Sequence, residues 1–184
     1  VSPDSFLYYK ITYIVDESDS DLAYANSQAN VLETFEGENH EVGGGEVSPD
    51  SFLYYKITYI VDGDTFDGRN VVTGEKVRFR PIGMDTPETG KRDGKPQPYH
   101  RQAKNYTWDL LKDKTVRMEY DVQPQDRYDR DLVYVWLHDG RLFNQAIVKA
   151  GWARVATYPP NVKYVDRFTA AQKEAREQGR GMWR

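Results

Sequence analysis

Three short runs concentrate the charge that phosphate chemistry needs. Asp62-Gly63-Asp64-Thr65 sets carboxylates at a turn between two β-rich stretches. The run from Arg80 to Glu88, RPIGMDTPE, sets an arginine, an aspartate and a glutamate along the end of another. The run from Asp126 to Arg130, DRYDR, gathers two arginines and a tyrosine in a third turn. Taken singly, each is what turn chemistry alone produces. Asp and Gly favour turns, a DTPE run opens loops, and DRYDR suits a solvated corner with local ion pairs. Together they meet the requirements of phosphodiester hydrolysis. Hard carboxylate oxygens hold Ca2+ or Mg2+, which neutralises phosphate charge and acts as a Lewis acid. A further carboxylate orients or deprotonates the attacking water. Two guanidiniums clamp the equatorial oxygens as negative charge redistributes. No histidine is needed for this scheme, and His40, His100 and His138, without metal-ligand spacing, read as surface or loop residues.

The elements that must position these turns follow from periodicity. Phe52 to Val61, rich in aromatic and β-branched residues, reads as a strand. Thr65 to Val72 and Lys76 to Met84 follow across short turns, so the three predict an antiparallel meander. A polar loop, Thr86 to Gln97, precedes a helix over Pro98 to Leu111, with Ala103, Tyr106 or Thr107, and Leu110 on one face. Two more strands are read at Thr115 to Val122 and Leu132 to Leu137. Leu142 to Ala150 suits a short helix stopped by Gly151, and Val162 to Gln178 a longer one striped by Tyr164, Phe168, Ala171 and Ala175. The order βββ-α-ββ-α-α predicts an α+β domain, an OB-like five-stranded β-barrel with three α-helices. Trp136, Trp152 and Trp183 read as core or helix-docking residues.

The formal charge of -4 averages two unlike regions. Residues 1–46 hold ten acidic residues against one basic, giving -9, and residues 47–184 hold 24 Lys plus Arg against 19 Asp plus Glu, giving +5. The larger part is mildly basic, which suits either a binder of polyanions or an ordinary solubilising surface. Residues 1–16, VSPDSFLYYKITYIVD, recur without change at 47–62. One identical copy is not a solenoid and reads as a tandem duplication or a deliberate construction. The acidic stretch after the first copy ends in Gly43-Gly44-Gly45 and reads as a disordered linker. Its Asp16 to Asp21 run lacks the glycine and terminal glutamate of an EF-hand loop. The expected division is therefore 1–46 as extension and 47–184 as the working domain. Cysteine is absent, so disulfides and thiolate metal sites are excluded. No stretch is long and apolar enough for a membrane helix, and the N-terminus shows no basic-plus-apolar signal segment, so the chain reads as a mature form or a cytoplasmic protein.

From Lys56 onward the sequence resembles the staphylococcal nuclease (thermonuclease-like) family. The runs that carry the resemblance are IVDGDTF, VRFRPIGMDTPE, DRYDRDLVYVWL, NQAIVKAGWARV, TYPPN and GMWR. The resemblance implies an OB-like barrel with three helices and cleavage of DNA and RNA with little sequence preference. It implies 3′-phosphate products, a Ca2+ requirement, a monomer and an exported protein. It makes Asp64 and Asp85 the calcium carboxylates and Thr86 the carbonyl donor. Glu88 becomes the residue that positions or activates water, and Arg80 and Arg130 become the phosphate clamps. Arg127 and Tyr128 stand where the family meets the nucleotide's terminal phosphate.

Two positions depart from the family pattern. Asp129 occupies the place of a glycine, which an aspartate fills at some cost if φ is positive, and its carboxylate adds charge near two arginines. Aligned on the Pro-Asn pair of TYPPN, Ala156 stands where the best-known member of the family has a base-stacking tyrosine, leaving Tyr158 either to stack on a base or to pack the barrel's flank. Lys91, Arg92 and Lys95 either contact a nucleic-acid backbone or lie in a solvated loop. A noncatalytic OB-type binding module is the competing class. The duplicated strand also allows an exchange in which either copy completes the barrel, although the second keeps Asp62 to Thr65 intact with less loop-closure entropy.

Overall fold

The computed structural model describes residues 53–90 and 94–184. The first copy of the repeat, the acidic segment, Lys91 and Arg92 lie outside the described residues. In chain order these form β1 (Tyr54–Asp62), β2 (Thr65–Asn70), β3 (Lys76–Pro81), β4 (Met84–Asp85) and α1 (His100–Leu111). Then come β5 (Thr115–Gln125), β6 (Asp131–Trp136), α2 (Phe143–Lys149), β7 (Arg154–Val155), α3 (Val165–Glu177) and a 3-10 turn at Gly181–Trp183. The strand that completes the barrel comes from the second copy of the repeat.

Five strands close in the order β1-β2-β3-β6-β5. The meander β1-β2-β3 is antiparallel, β3 and β6 run parallel with Arg80 opposite Leu132, and β1 seals against β5 with Tyr55 opposite Val116. The inward face of β1 shows why this strand curves. Ile57 and Ile60 are both buried although three residues apart, because register shifts after Ile57 and after Ile60 each break the alternation. Such bulges bend a strand and re-aim its side chains. Here the second shift falls just before Asp62, which is buried at the end of the barrel.

Phe66, Phe79, Phe143, Ile57, Met118 and Val135 fill the barrel, with Phe66 set edge-on to Phe143 at 6.3 Å between ring centres. A second cluster, Ile82, Tyr134, Leu142 and Phe168, lies under α3, whose Phe168, Ala171 and Ala175 stripe is buried as the spacing requires. On α1 the buried residues are Ala103, Thr107 and Leu111, so the stripe ends one residue beyond Leu110. Trp152 packs on the first cluster and Trp136 on the second, while Arg176 stacks over Trp183 at 4.3 Å. All three tryptophans therefore serve packing.

The expected third strand, Lys76 to Met84, is in fact two. Pro81 ends β3, and Gly83 turns the chain at a φ of 78° before β4 pairs with β7. A side chain at Gly83 would place its Cβ 2.6 Å from the Phe168 ring, so both the turn and the packing require glycine. This corner carries the chain from Arg80 to Asp85.

Outside the barrel, Glu119 of β5 accepts hydrogen bonds from Trp136 Nε1 at 2.6 Å, Lys163 Nζ at 2.5 Å and the Tyr164 hydroxyl at 3.0 Å. Burial alone would push its carboxyl up, but these donors hold it below its ordinary value. Glu119→Gln should therefore cost about 1–3 kcal/mol at neutral pH, since a carboxylate acceptor is lost. With a folded pKa below the unfolded one, that stability is present above the unfolded value and fades as pH falls through the folded one. Urea melts of both forms at neutral and acid pH should show a gap that closes in acid.

Candidate active site

The β1–β2 turn supplies the first carboxylates. Asp62 Oδ1 accepts the Gly63 N–H at 2.9 Å, while the Gly63 carbonyl accepts the hydroxyl of buried Thr107 on α1 at 2.6 Å. A Cβ at Gly63 would lie 2.8 Å from Thr86 Oγ1, so only glycine lets the turn approach the segment after β4. Asp64 is 2% exposed. Its Oδ2 accepts the Thr86 N–H at 2.8 Å, and its Oδ1 forms an ion pair with Arg80 Nη1. Arg80 Nη2 reaches Asp85 Oδ1 at 2.7 Å. One guanidinium thus spans two carboxylates that are 21 positions apart in the chain (85 minus 64).

Burial pushes the Asp64 carboxyl up, against the pull of Arg80 and the Thr86 N–H. Burial also works against the charge on Arg80, but Asp64 and Asp85 outweigh it and keep the guanidinium protonated. Glu88 lies at the exposed edge of the same corner. Its partial burial and the neighbouring Asp64 and Asp62 carboxylates hold it above its ordinary value, with Arg80 opposing. Gln97 fixes the Glu88 backbone from both sides, through Glu88 N–H to Oε1 and Gln97 N–H to the Glu88 carbonyl, each at 3.0 Å. Gln97 does not stand out in the sequence, since it reads as an ordinary loop polar residue.

The third turn joins β5 to β6. Arg130 Nη1 lies 3.4 Å from the Thr65 hydroxyl, which is itself 3.4 Å from Asp64 Oδ1. That contact places Arg130 at the Asp64 corner. Arg127 Nη2 donates to the Tyr128 hydroxyl at 2.7 Å, and both side chains are exposed beside Arg130. Asp129 has a φ of 58°, the left-handed conformation for which a glycine would be better suited. Tyr158 is 74% exposed, so it does not pack the barrel's flank. Its loop is fastened by Asn161, whose amide both accepts from Gln123 N–H and donates to the Gln123 carbonyl at 2.8 Å.

Asp64, Arg80, Asp85 and Thr86 are thus in direct contact, Arg130 and Glu88 border them, and Arg127, Tyr128 and Tyr158 stand on outer loops. Lys95 is exposed, and among the described residues neither His100 nor His138 belongs to a ligand cluster: His100 meets the Gln97 carbonyl and His138 is exposed beyond β6. Among the described residues, no three His, Asp or Glu side chains form a ready-made metal cage. The donor set still fits a hard cation. Two carboxylates converge closely enough for one cationic group, Arg80, to bridge them, and the Thr86 hydroxyl beside Asp64 is buried without a hydrogen-bond partner. A cation held by two carboxylates completes its shell with carbonyl, water and substrate oxygens.

The model of a staphylococcal nuclease homologue family matches residues 77–184. The chain is 44% identical over 120 residues to a thermonuclease of Staphylococcus intermedius, covering 64% of this chain and 71% of that protein. It is 42% identical over 120 residues to a thermonuclease of Staphylococcus hyicus, covering 64% and 70%. A third relative, endonuclease YncB of Bacillus subtilis (strain 168), is 35% identical over 123 residues, covering 66% and 57%.

Proposed function

Because this chain belongs to the staphylococcal nuclease homologue family and is a nuclease, we propose that it hydrolyses DNA and RNA in a Ca2+-dependent reaction with little sequence preference, leaving 3′-phosphates. The observation that carries this reading is the Asp64–Arg80–Asp85 bridge, with Arg130 beside it through Thr65. It joins cation-seeking carboxylates and phosphate-seeking guanidiniums in one corner.

In this reading Asp64 and Asp85, with the Thr86 carbonyl, hold the ion. Bound Ca2+ would offset phosphate charge and polarise the phosphoryl oxygens. Glu88 orients the attacking water and takes its proton, a role helped by a carboxyl held above the ordinary range. The water oxygen bonds to phosphorus as the bond to the 5′ oxygen breaks, and that oxygen takes a proton from solvent water and leaves as a hydroxyl. Arg80 and Arg130 donate to the equatorial oxygens as charge grows there. Arg127 and Tyr128 meet the terminal phosphate, and the exposed Tyr158 ring stacks on a base, worth ~1–3 kcal/mol. The enzyme acts as a monomer. Among the described residues no helix is long and apolar enough to cross a membrane. Export belongs to the same reading, because a nuclease without base preference endangers the cell that makes it.

Digestion of single-stranded DNA and RNA with Ca2+, with Mg2+ and with chelator tests the proposal. Cleavage should require Ca2+ and fall steeply with salt, as counterion release dictates. Full hydrolysis by Glu88→Ala would remove the site assignment, and tight binding without cleavage would make the chain a binding module instead. The division at residue 46 is a proposal too. A chain without residues 1–46 should melt and cleave as the whole does, whereas a change in either would favour exchange between the two copies of the repeat.

A further inference from the structure

We propose that Asp126 is a positioning residue for the reaction, holding one edge of the Arg130 guanidinium so that the other edge faces phosphate beside Asp64 and Thr65. This rests on the reading of Arg130 as a phosphate clamp. The turn is short, and a single carboxylate organises it. Asp126 Oδ1 accepts the Tyr128 N–H at 2.8 Å and the Arg130 N–H at 3.1 Å. Its Oδ2 accepts Arg130 Nε at 2.8 Å and pairs with Arg130 Nη2 at 2.7 Å. The two oxygens therefore divide the work: Oδ1 holds the backbone and Oδ2 holds the side chain.

The donor inventory shows what remains for substrate. A guanidinium has five N–H donors in a rigid fork. Asp126 takes the side edge, formed by Nε and Nη2, and Nη1 lies near the Thr65 hydroxyl. The end-on edge between the two terminal nitrogens keeps a free N–H on each, which suits two phosphate oxygens at once. The Tyr128 ring, centred 5.5 Å from the Arg130 guanidinium carbon, adds a wall. Both members of the pair are mostly buried, with side-chain exposures of 17% for Asp126 and 24% for Arg130. Burial alone would push the Asp126 carboxyl up, yet the Arg130 and backbone donors hold it below its ordinary value, so it is ionised in the working range. An arginine fixed in this way loses little side-chain freedom when phosphate arrives.

Asp126→Asn separates positioning from turn formation. Its amide oxygen still accepts the two backbone N–H groups, but its NH2 faces Nε and Nη2 and cannot accept from them. It also removes a negative charge near the phosphate path, which by itself lowers KM. Steady-state cleavage of a short single-stranded oligonucleotide, at a temperature where each protein is folded, should show kcat down by ~10-fold or more, with KM unchanged or lower; the melting temperature falls too, since Arg130 loses its counter-charge. In an Arg130→Ala background the same substitution should have no further effect on kcat. An unchanged kcat in Asp126→Asn, a rise in KM alone, or an equal loss in both backgrounds would overturn the proposal. Should Asp126→Asn unfold below the assay temperature, Asp126→Glu keeps the charge and shifts it by one methylene. It must then slow the Arg130 enzyme and not the Arg130→Ala enzyme. Full activity of Arg130→Ala alone would instead remove the clamp reading, and this proposal with it.

Discussion

Arg80→Ala should lower the rate of phosphodiester hydrolysis by about 10²- to 10³-fold, the usual cost of removing one preorganised transition-state donor. The same substitution should weaken the fold. Asp64 is 3% exposed at its side chain and has Arg80 as its counter-charge. Removing one member of a buried ion pair strands the other, at a cost of about 3–5 kcal/mol. Because burial already pushes the Asp64 carboxyl up, the variant escapes part of this penalty by protonating. A carboxyl whose folded pKa is raised is most stable below the unfolded value and loses stability as pH climbs through the folded one. The gap between the two proteins should therefore narrow in acid and widen toward neutral pH. Thermal melts across that range, with single-turnover cleavage at a temperature where both are folded, separate the two roles. A fall in melting temperature with unchanged kcat would leave Arg80 as a structural cation only. Arg80→Lys should recover part of the stability but little of the rate, since a point charge cannot span Asp64 and Asp85 as a planar fork does.

Which residues take part in this corner was legible in the sequence; how they pair was not. Asp64, Arg80, Asp85 and Glu88 have the right chemical types, but side-chain type does not say that one arginine bridges two carboxylates. That depends on the Gly83 turn, which folds β4 back beside the β1–β2 loop. The barrel strands were readable because each has a buried face of several residues. β4 and β7 are two residues each and pair across about 70 positions of chain, too short to carry a period. The bulges in β1 were likewise hidden, since Ile57 and Ile60 break alternation and only the register explains why both face inward. Asp126 was visible in DRYDR, four residues before Arg130, yet the same spacing is common in solvated ion pairs. Its three accepted hydrogen bonds and the ion pair with Arg130 Nη2, not its position, distinguish it. At Asp129 the sequence posed only a condition, a cost if φ is positive, and the backbone meets that condition at 58°.

A large effect on stability is also expected at Asn144→Ala, where no charge is lost. Asn144 is fully buried on α2. Its Oδ1 accepts the Val135 N–H at 2.9 Å, and its NH2 donates to the carbonyls of Ile82 at 2.9 Å and Val133 at 3.2 Å. One amide thus satisfies β6 and the corner after β3 together. Alanine would leave the Val135 N–H and the Ile82 carbonyl without that partner, while the Val133 carbonyl keeps the Ile82 N–H at 2.9 Å, and each buried unsatisfied group costs about 1–3 kcal/mol. A total loss of about 2 kcal/mol or more is a large part of the ~5–15 kcal/mol that holds a domain together. Asn144→Asp should be worse, because it replaces the donor to two carbonyls with an acceptor and brings an unpaired charge into the core. Asn144→Leu keeps the branching, adds volume and loses the hydrogen bonds, so a leucine variant as unstable as alanine would show that filling the space does not restore the fold. Urea unfolding of the three variants measures this directly, and a cost under 1 kcal/mol for alanine would sink it. The consequence reaches the site, since the Ile82 carbonyl lies between Arg80 and Asp85 in the chain. Loosening this corner should raise KM and lower kcat even where the barrel remains folded, which ties the precision of the charged corner to an uncharged amide beneath it.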